Sequence, residues 1–333
     1  MQLWIYWWDA IWLLRPGCTR LRTFLWFVTC VAGLTVRTDL LGVTSIVRAL
    51  GLHGRFYGNP LDNFHSTGIS MDKMSTLWAR VVLRLFQDPL RVNGRLVLVG
   101  DGIKVPKSGK KIALKSLFSD GQAMEQTASP VYSEKNVTLQ YRVCDLLWRP
   151  VGRLVRFVVV IHPTRGRCLL MSTDTSLGAI EIIRLYGLRF KIEHGFKQAV
   201  RVVGSFSYHF WMKEMKPLHR RNGNQYLHRE SSAYRDAVKG KINAYHVFIH
   251  AGVVSQGLLQ YLAANVPKRV WASFGSWLRT IRPGIAPSEL VVATALRHSL
   301  PEFLLNTAQH NIFAKFIVDR QDPDRLEVCW LAS

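Results

Sequence analysis

Near residue 93 the hydrophobic pattern of the chain changes period, and this change limits the fold more than any single motif does. Before it, apolar clusters recur at helical intervals between single arginines, as in LLGVTSIVRALGL and MSTLWARVVLRLF, the pattern of helices that bury one face. After it come four runs of strand type: GRLVLVGDG (94–102), VTLQYRVCDLLW, RLVRFVVVIH and RCLLMSTD. These four are expected to lie in one sheet. The polar stretch KVPKSGKKIALKSLFSDGQAMEQTASPVYSEKN between the first and second runs reads as a long loop with at most a helical turn. Helical spacing returns over 176–201 and again beyond residue 242. The expected organisation is therefore a helical N-terminal region over 1–92, a core over 93–205, and a basic segment followed by helices over 206–333.

Such a chain has the length and the apolar content, 48% of 333 residues, to bury a substantial core. Its charge is lopsided: 44 lysines and arginines against 22 aspartates and glutamates give +22. Polyanions are the natural partners of such a chain, nucleic acid first, an anionic membrane or heparin-like surface after it. Five cysteines without a CxxC pair indicate neither a zinc site nor a disulfide framework, which suits a reducing compartment. The uncharged run TFLWFVTCVAGLTV has 14 residues, short of the roughly 20 that span a bilayer, and is expected to be a buried helix. The start MQLWIYWWDAIWLLRPG lacks the leading basic region of a signal peptide. A cytoplasmic, DNA-associated chain is expected, and the Trp-rich start leaves contact with a membrane surface as the reading of another class.

The stretch IEIIRLYGLRFKIEHGFKQAVR (180–201) carries the most specific chemistry. On one continuous helix Tyr186, Arg189, Glu193 and Lys197 form a stripe with Arg201 at its edge, while Leu185, Leu188, Ile192, Phe196 and Ala199 take the other side. Two i,i+4 ion pairs, Arg189–Glu193 and Glu193–Lys197, would account for this pattern without any further function. Asp101 ends the first strand run, where a carboxylate can reach an open sheet edge, although a DG after a strand is also an ordinary turn. Carboxylates delivered in this way are what divalent-metal phosphoryl transfer on DNA requires. Asp174, after the last strand run, is a further candidate, with a role near a helix N-terminus as its plainer reading.

The spacing Tyr-x2-Arg-x3-Glu, the preceding LLMSTDTSL and the strand ending VGDGIKVPK together resemble the DDE transposases of bacterial insertion sequences, in particular the group related to insertion sequence four. The resemblance covers most of the chain from about residue 15. It implies an RNase H-like α/β fold: a mixed sheet flanked by helices, with a helical N-terminal region and helical C-terminal elements. It also implies magnesium or manganese held by Asp101 and Glu193, double-stranded DNA of transposon ends and target as partner, cleavage and strand transfer as activity, and a homodimer among the assemblies allowed. Tyr186 and Arg189 match the signature partners of the glutamate. Two departures stand out. The signature lysine seven residues after the glutamate is Val200, with Lys197 and Arg201 beside it. The strand carrying a second aspartate has no counterpart, because the chain after Lys111 passes directly into LKSLFSDG, as an internal deletion would leave it.

DNA must also be held by groups that do no chemistry. Residues 213–241 carry eight lysines and arginines against three acids, with His219, Tyr226, His228 and Tyr234 interleaved, a composition suited to phosphate contact and stacking. Arg220, Arg221 and Arg229 are its candidate contacts. The eleven histidines show no HExxH spacing. A P-loop, a dinucleotide glycine fingerprint and a GxSxG elbow are absent from the sequence, so NTPase, dehydrogenase and hydrolase readings lose their support and no small-molecule cofactor is expected.

Overall fold

The computed structural model describes residues 2–40, 42–86, 91–98, 121–132, 134–149, 152–207, 226–275 and 281–324. The chain divides into two compact units, one of residues 1–90 with 197–333 and one of residues 91–196. The N-terminal and C-terminal helices thus belong to a single unit, where the sequence pattern had suggested separate regions. The protein is of mixed α/β type, and both sheets among the described residues are antiparallel, where a mixed sheet was expected.

The first unit is helical throughout its described residues. It comprises α1 (Gln2–Trp12), α2 (Leu21–Val36), α3 (Gly42–Ala49), α4 (Gly58–Phe64), α5 (Met71–Leu85), α8 (Ser232–Asn265), α9 (Pro267–Phe274), α10 (Glu289–Thr307) and α11 (Ile312–Val318). Every residue of α2 from Phe24 to Val36 is buried, as expected of a helix that is apolar on all sides. It packs on α8, and their polar atoms pair within the core: the Thr35 and Ser255 hydroxyls lie 2.8 Å apart. Among the described residues α8 is the one helix long and apolar enough to cross a membrane, yet most of its apolar window is buried inside the unit.

The Trp-rich start places half of its tryptophans in the core. Trp4 and Trp7 are fully buried, the Trp4 indole N–H donates to the Leu296 carbonyl at 2.9 Å, and its ring stacks on Phe303 at 5.6 Å. Trp8 is half-buried and Trp12 is 40% exposed, so the segment is core on one side and shows aromatic surface on the other.

The second unit begins with a two-residue hairpin, β1 (Arg91–Val92) and β2 (Arg95–Leu96). Its turn residues Asn93 and Gly94 both have positive φ, the geometry of a tight primed turn. Next comes a meander in the order β3 (Glu125–Ala128), β4 (Thr138–Trp148), β5 (Arg153–His162), β6 (Gly166–Ser172). Three of the four expected strands are in this sheet. The fourth place among the described residues is taken by β3, from the stretch read as loop, and the described part of the run beginning at Gly94 pairs through Arg95 and Leu96, back onto β1, while its end, residues 99–102, lies outside the described residues. In β5 both faces are buried, as a central strand requires. Val158 and Val160 pack with Leu139 and Leu170 against Ala179, Ile182 and Ile183 of α6 (Ala179–Leu188).

The single helix expected over 176–201 is broken. α6 ends at Leu188, α7 spans Phe190–Gln198, and a π-helical turn covers Ala199–Val203. At the joint the Arg189 N–H bonds to the Tyr186 carbonyl and the Ile192 N–H to the Arg189 carbonyl, each three residues back, so the spiral tightens there. Only α6 has the sheet beneath it, and α7 contributes no buried residue. The packing expected of Leu188, Ile192 and Phe196 is corrected accordingly: the first two are half-buried and Phe196 is 57% exposed.

Candidate functional site

Glu193 stands exposed in the first turn of α7. The helix break changes the geometry on which the Arg189–Glu193 pair depended, since Arg189 caps α6, whereas Glu193 and Lys197 keep their i,i+4 spacing within α7. Lys191 and His194 are exposed on the same short helix, Lys197 lies in its last turn, and Arg201 is exposed in the π turn that follows. Val200, at the signature lysine position, is exposed too.

Tyr186 lies on α6 where the helix crosses β6. It lines a cleft of about 360 Å³ with Leu169, Met171, Leu177 and Leu185. The neighbouring Cys168 thiol and partial burial hold its phenol above the usual range. Gly187 is required here by close approach: a Cβ would come 2.5 Å from Cγ1 of Val131.

Asp174 is engaged in the local turn. Its Oδ1 accepts from the Ser176 backbone N–H at 3.0 Å and from the Ser176 hydroxyl at 2.5 Å, and its Oδ2 pairs with the Arg95 guanidinium at 2.9 Å. These bonds, led by those from Ser176, lower its pKa. The N-cap of α6 is Gly178, whose N–H donates to Glu181 at 3.4 Å. Asp174 therefore closes an Asx-type turn four residues before the cap. Asp101, Arg220 and Arg221 lie outside the described residues.

Arg229 is placed in a 3-10 turn, Leu227–Arg229, immediately before α8. Its guanidinium sits 4.8 Å from the centre of the Tyr226 ring, and His228 meets the same ring edge-on at 5.8 Å.

Sequence reasoning missed a cluster at the β5–β6 hairpin. Glu134 accepts from the Ser129 hydroxyl at 2.7 Å and lies 3.1 Å from Nε2 of His162 and 2.9 Å from the Arg165 guanidinium. Bonds from Ser129 and His162, then Arg165, draw its carboxyl down to about 2. Nδ1 of His162 accepts the Thr164 and Arg165 backbone N–H groups, each at 3.2 Å, which assigns the ring hydrogen to Nε2, facing Glu134. The Ser129 hydroxyl donates to the carboxylate and not to the imidazole, so the arrangement fastens the loop before β4 to the hairpin and activates no nucleophile. The sequence signal was slight: one histidine ending a strand before PTRG.

Among the described residues no three histidines, cysteines, aspartates or glutamates come together as a metal-binding group. No protein-family model, curated protein or solved structure matches the chain.

Proposed function

We propose that the chain is a relative of the DDE transposases of bacterial insertion sequences that binds duplex DNA and carries an incomplete set of metal-holding carboxylates. The observation that carries this reading is Glu193. It has the family spacing from Tyr186 and Arg189, and it is exposed in the first turn of α7. The +22 charge supports DNA as the partner. An RNase H-like core, built around the strand that leads into α6, belongs to the same proposal.

The described carboxylates do not fit a two-ion centre. In such a centre, magnesium or manganese activates the attacking oxygen and neutralises charge on the leaving one. Asp174 already serves Arg95 and Ser176, and the sequence supplies no second-aspartate strand. That leaves Asp101 and Glu193 as the family's remaining ligands, and no cleavage step is assigned to this chain. What its residues do is bind: exposed Lys191, Lys197, Arg201 and Arg229 offer phosphate contacts without sequence information.

A plasmid-nicking assay with magnesium or manganese tests the proposal. Wild-type protein is expected to bind the plasmid and to leave it supercoiled. Robust cleavage that disappears in both Asp101→Ala and Glu193→Ala would show the carboxylate set to be complete. Absence of DNA binding altogether would remove the family reading itself.

A further inference from the structure

The turn before α8 holds an aromatic ring in an unusual setting. Tyr226 is 61% exposed although a guanidinium lies over it and an imidazole meets it edge-on. An exposed tyrosine ordinarily samples several rotamers, whereas this one has two neighbours that fix its direction. The backbone beneath it is closed by Arg229 N–H to Tyr226 O at 2.9 Å and Glu230 N–H to Leu227 O at 3.1 Å. Arg235, one turn into α8, donates to the Glu230 carbonyl at 3.1 Å and lies 3.5 Å from that of His228. Ser231 caps the helix by accepting the Tyr234 N–H at 3.3 Å. The ring is thus presented by a turn that Arg235 pins through its carbonyls, with the Arg229 guanidinium over it.

We infer that Tyr226, backed by Arg229 and His228, is a stacking platform for an unpaired base of single-stranded DNA. In a duplex the faces of the bases are already covered by their neighbours, so an exposed ring adds nothing to duplex affinity. An unpaired base offers a free π-face, and an aromatic beside cations that hold phosphate is the recurring solution for binding it. A lipid surface fits less well: the ring is flanked by the imidazole of His228 and the guanidinium of Arg229, and among the described residues the turn Leu227–Arg229 contributes no buried apolar residue. The platform rests on the DNA-binding reading and adds to it a preference for opened or frayed DNA.

The test uses the full chain at low salt and measures anisotropy of two labelled probes, an oligothymidine of about 16 nucleotides and a blunt duplex of comparable charge. Tyr226→Ala is expected to weaken oligothymidine binding about tenfold and to leave duplex binding within about twofold, while Tyr226→Phe keeps wild-type affinity for both. Equal loss on both probes, no loss on either, or a Tyr226 dependence found on phosphatidylglycerol vesicles instead would overturn the platform. If wild-type protein binds neither probe, the DNA reading fails with it. If wild-type protein binds the duplex and Tyr226→Ala spares oligothymidine, the platform alone fails.

Discussion

Glu134 and Arg37 are two charged residues whose surroundings set their behaviour. With its carboxyl drawn down to about 2 from an ordinary 4.5, Glu134 favours the folded form of its hairpin at neutral pH. That contribution is present above about 4.5 and is withdrawn as pH falls toward about 2. Protection factors of the β5–β6 amides, taken relative to the intrinsic exchange rate at each pH, should therefore fall over that window in the wild type, and Glu134→Gln should show lower protection at pH 7 and little further change on acidification. Arg37 is buried at the C-terminal end of α2, and desolvation pushes its guanidinium down to about 10. It donates to Val203 O at 2.7 Å, Gly204 O at 3.1 Å and Ser45 Oγ at 2.9 Å. Gly204 adopts φ +69° there, and a Cβ would fall 2.3 Å from the guanidinium. Arg37→Met strands these carbonyls and should lower the stability of the helical unit by about 3 kcal/mol, read from denaturant midpoints followed by tryptophan fluorescence.

At the scale of elements, long amphipathic stretches were legible and local geometry was not. The period change near residue 93 lies close to residue 91, where the second unit begins, and VTLQYRVCDLLW, RLVRFVVVIH and RCLLMSTD are neighbouring strands, the central one rich in valine and the outer ones apolar enough to pair with it. Hairpin β1–β2 was hidden because GRLVLVG reads as one strand, although Asn93–Gly94 is a strong turn signal. Strand β3 escaped notice because Glu125, Gln126 and Ala128 are exposed, leaving no alternation to detect. The break at Arg189 could not be read from a helical wheel, which takes one continuous helix as its premise. For the site the consequence was direct: the Tyr186–Arg189–Glu193 stripe assumed one straight helix, and the structure distributes it over two. Helix packing in the first unit offers a sharper test. A Cβ at Gly257 of α8 would lie 2.3 Å from the Trp78 ring of α5. Alanine gains about 1 kcal/mol in helix propensity, but overpacking a rigid buried ring costs about 1–3 kcal/mol. Gly257→Ala is therefore expected to be destabilising in thermal unfolding, and Gly257→Ala combined with Trp78→Leu should recover part of the loss.

Across the whole molecule the charge supports the functional claim, because +22 is spread over both units. Composition alone made this legible, whereas the state of the carboxylate set depended on a turn, that of Asp174, which only the structure shows. The most direct measurement is duplex DNA affinity as a function of salt, for the wild type and for a variant in which Arg220, Arg221 and Arg229 are replaced by glutamine. Each phosphate contact contributes about 0.9 to the slope of log affinity against log salt. The account predicts a steep wild-type slope that falls by about 2.7 in the triple variant if all three arginines touch phosphate. A flat dependence across a tenfold range of salt, or a slope unchanged in the variant, would contradict it.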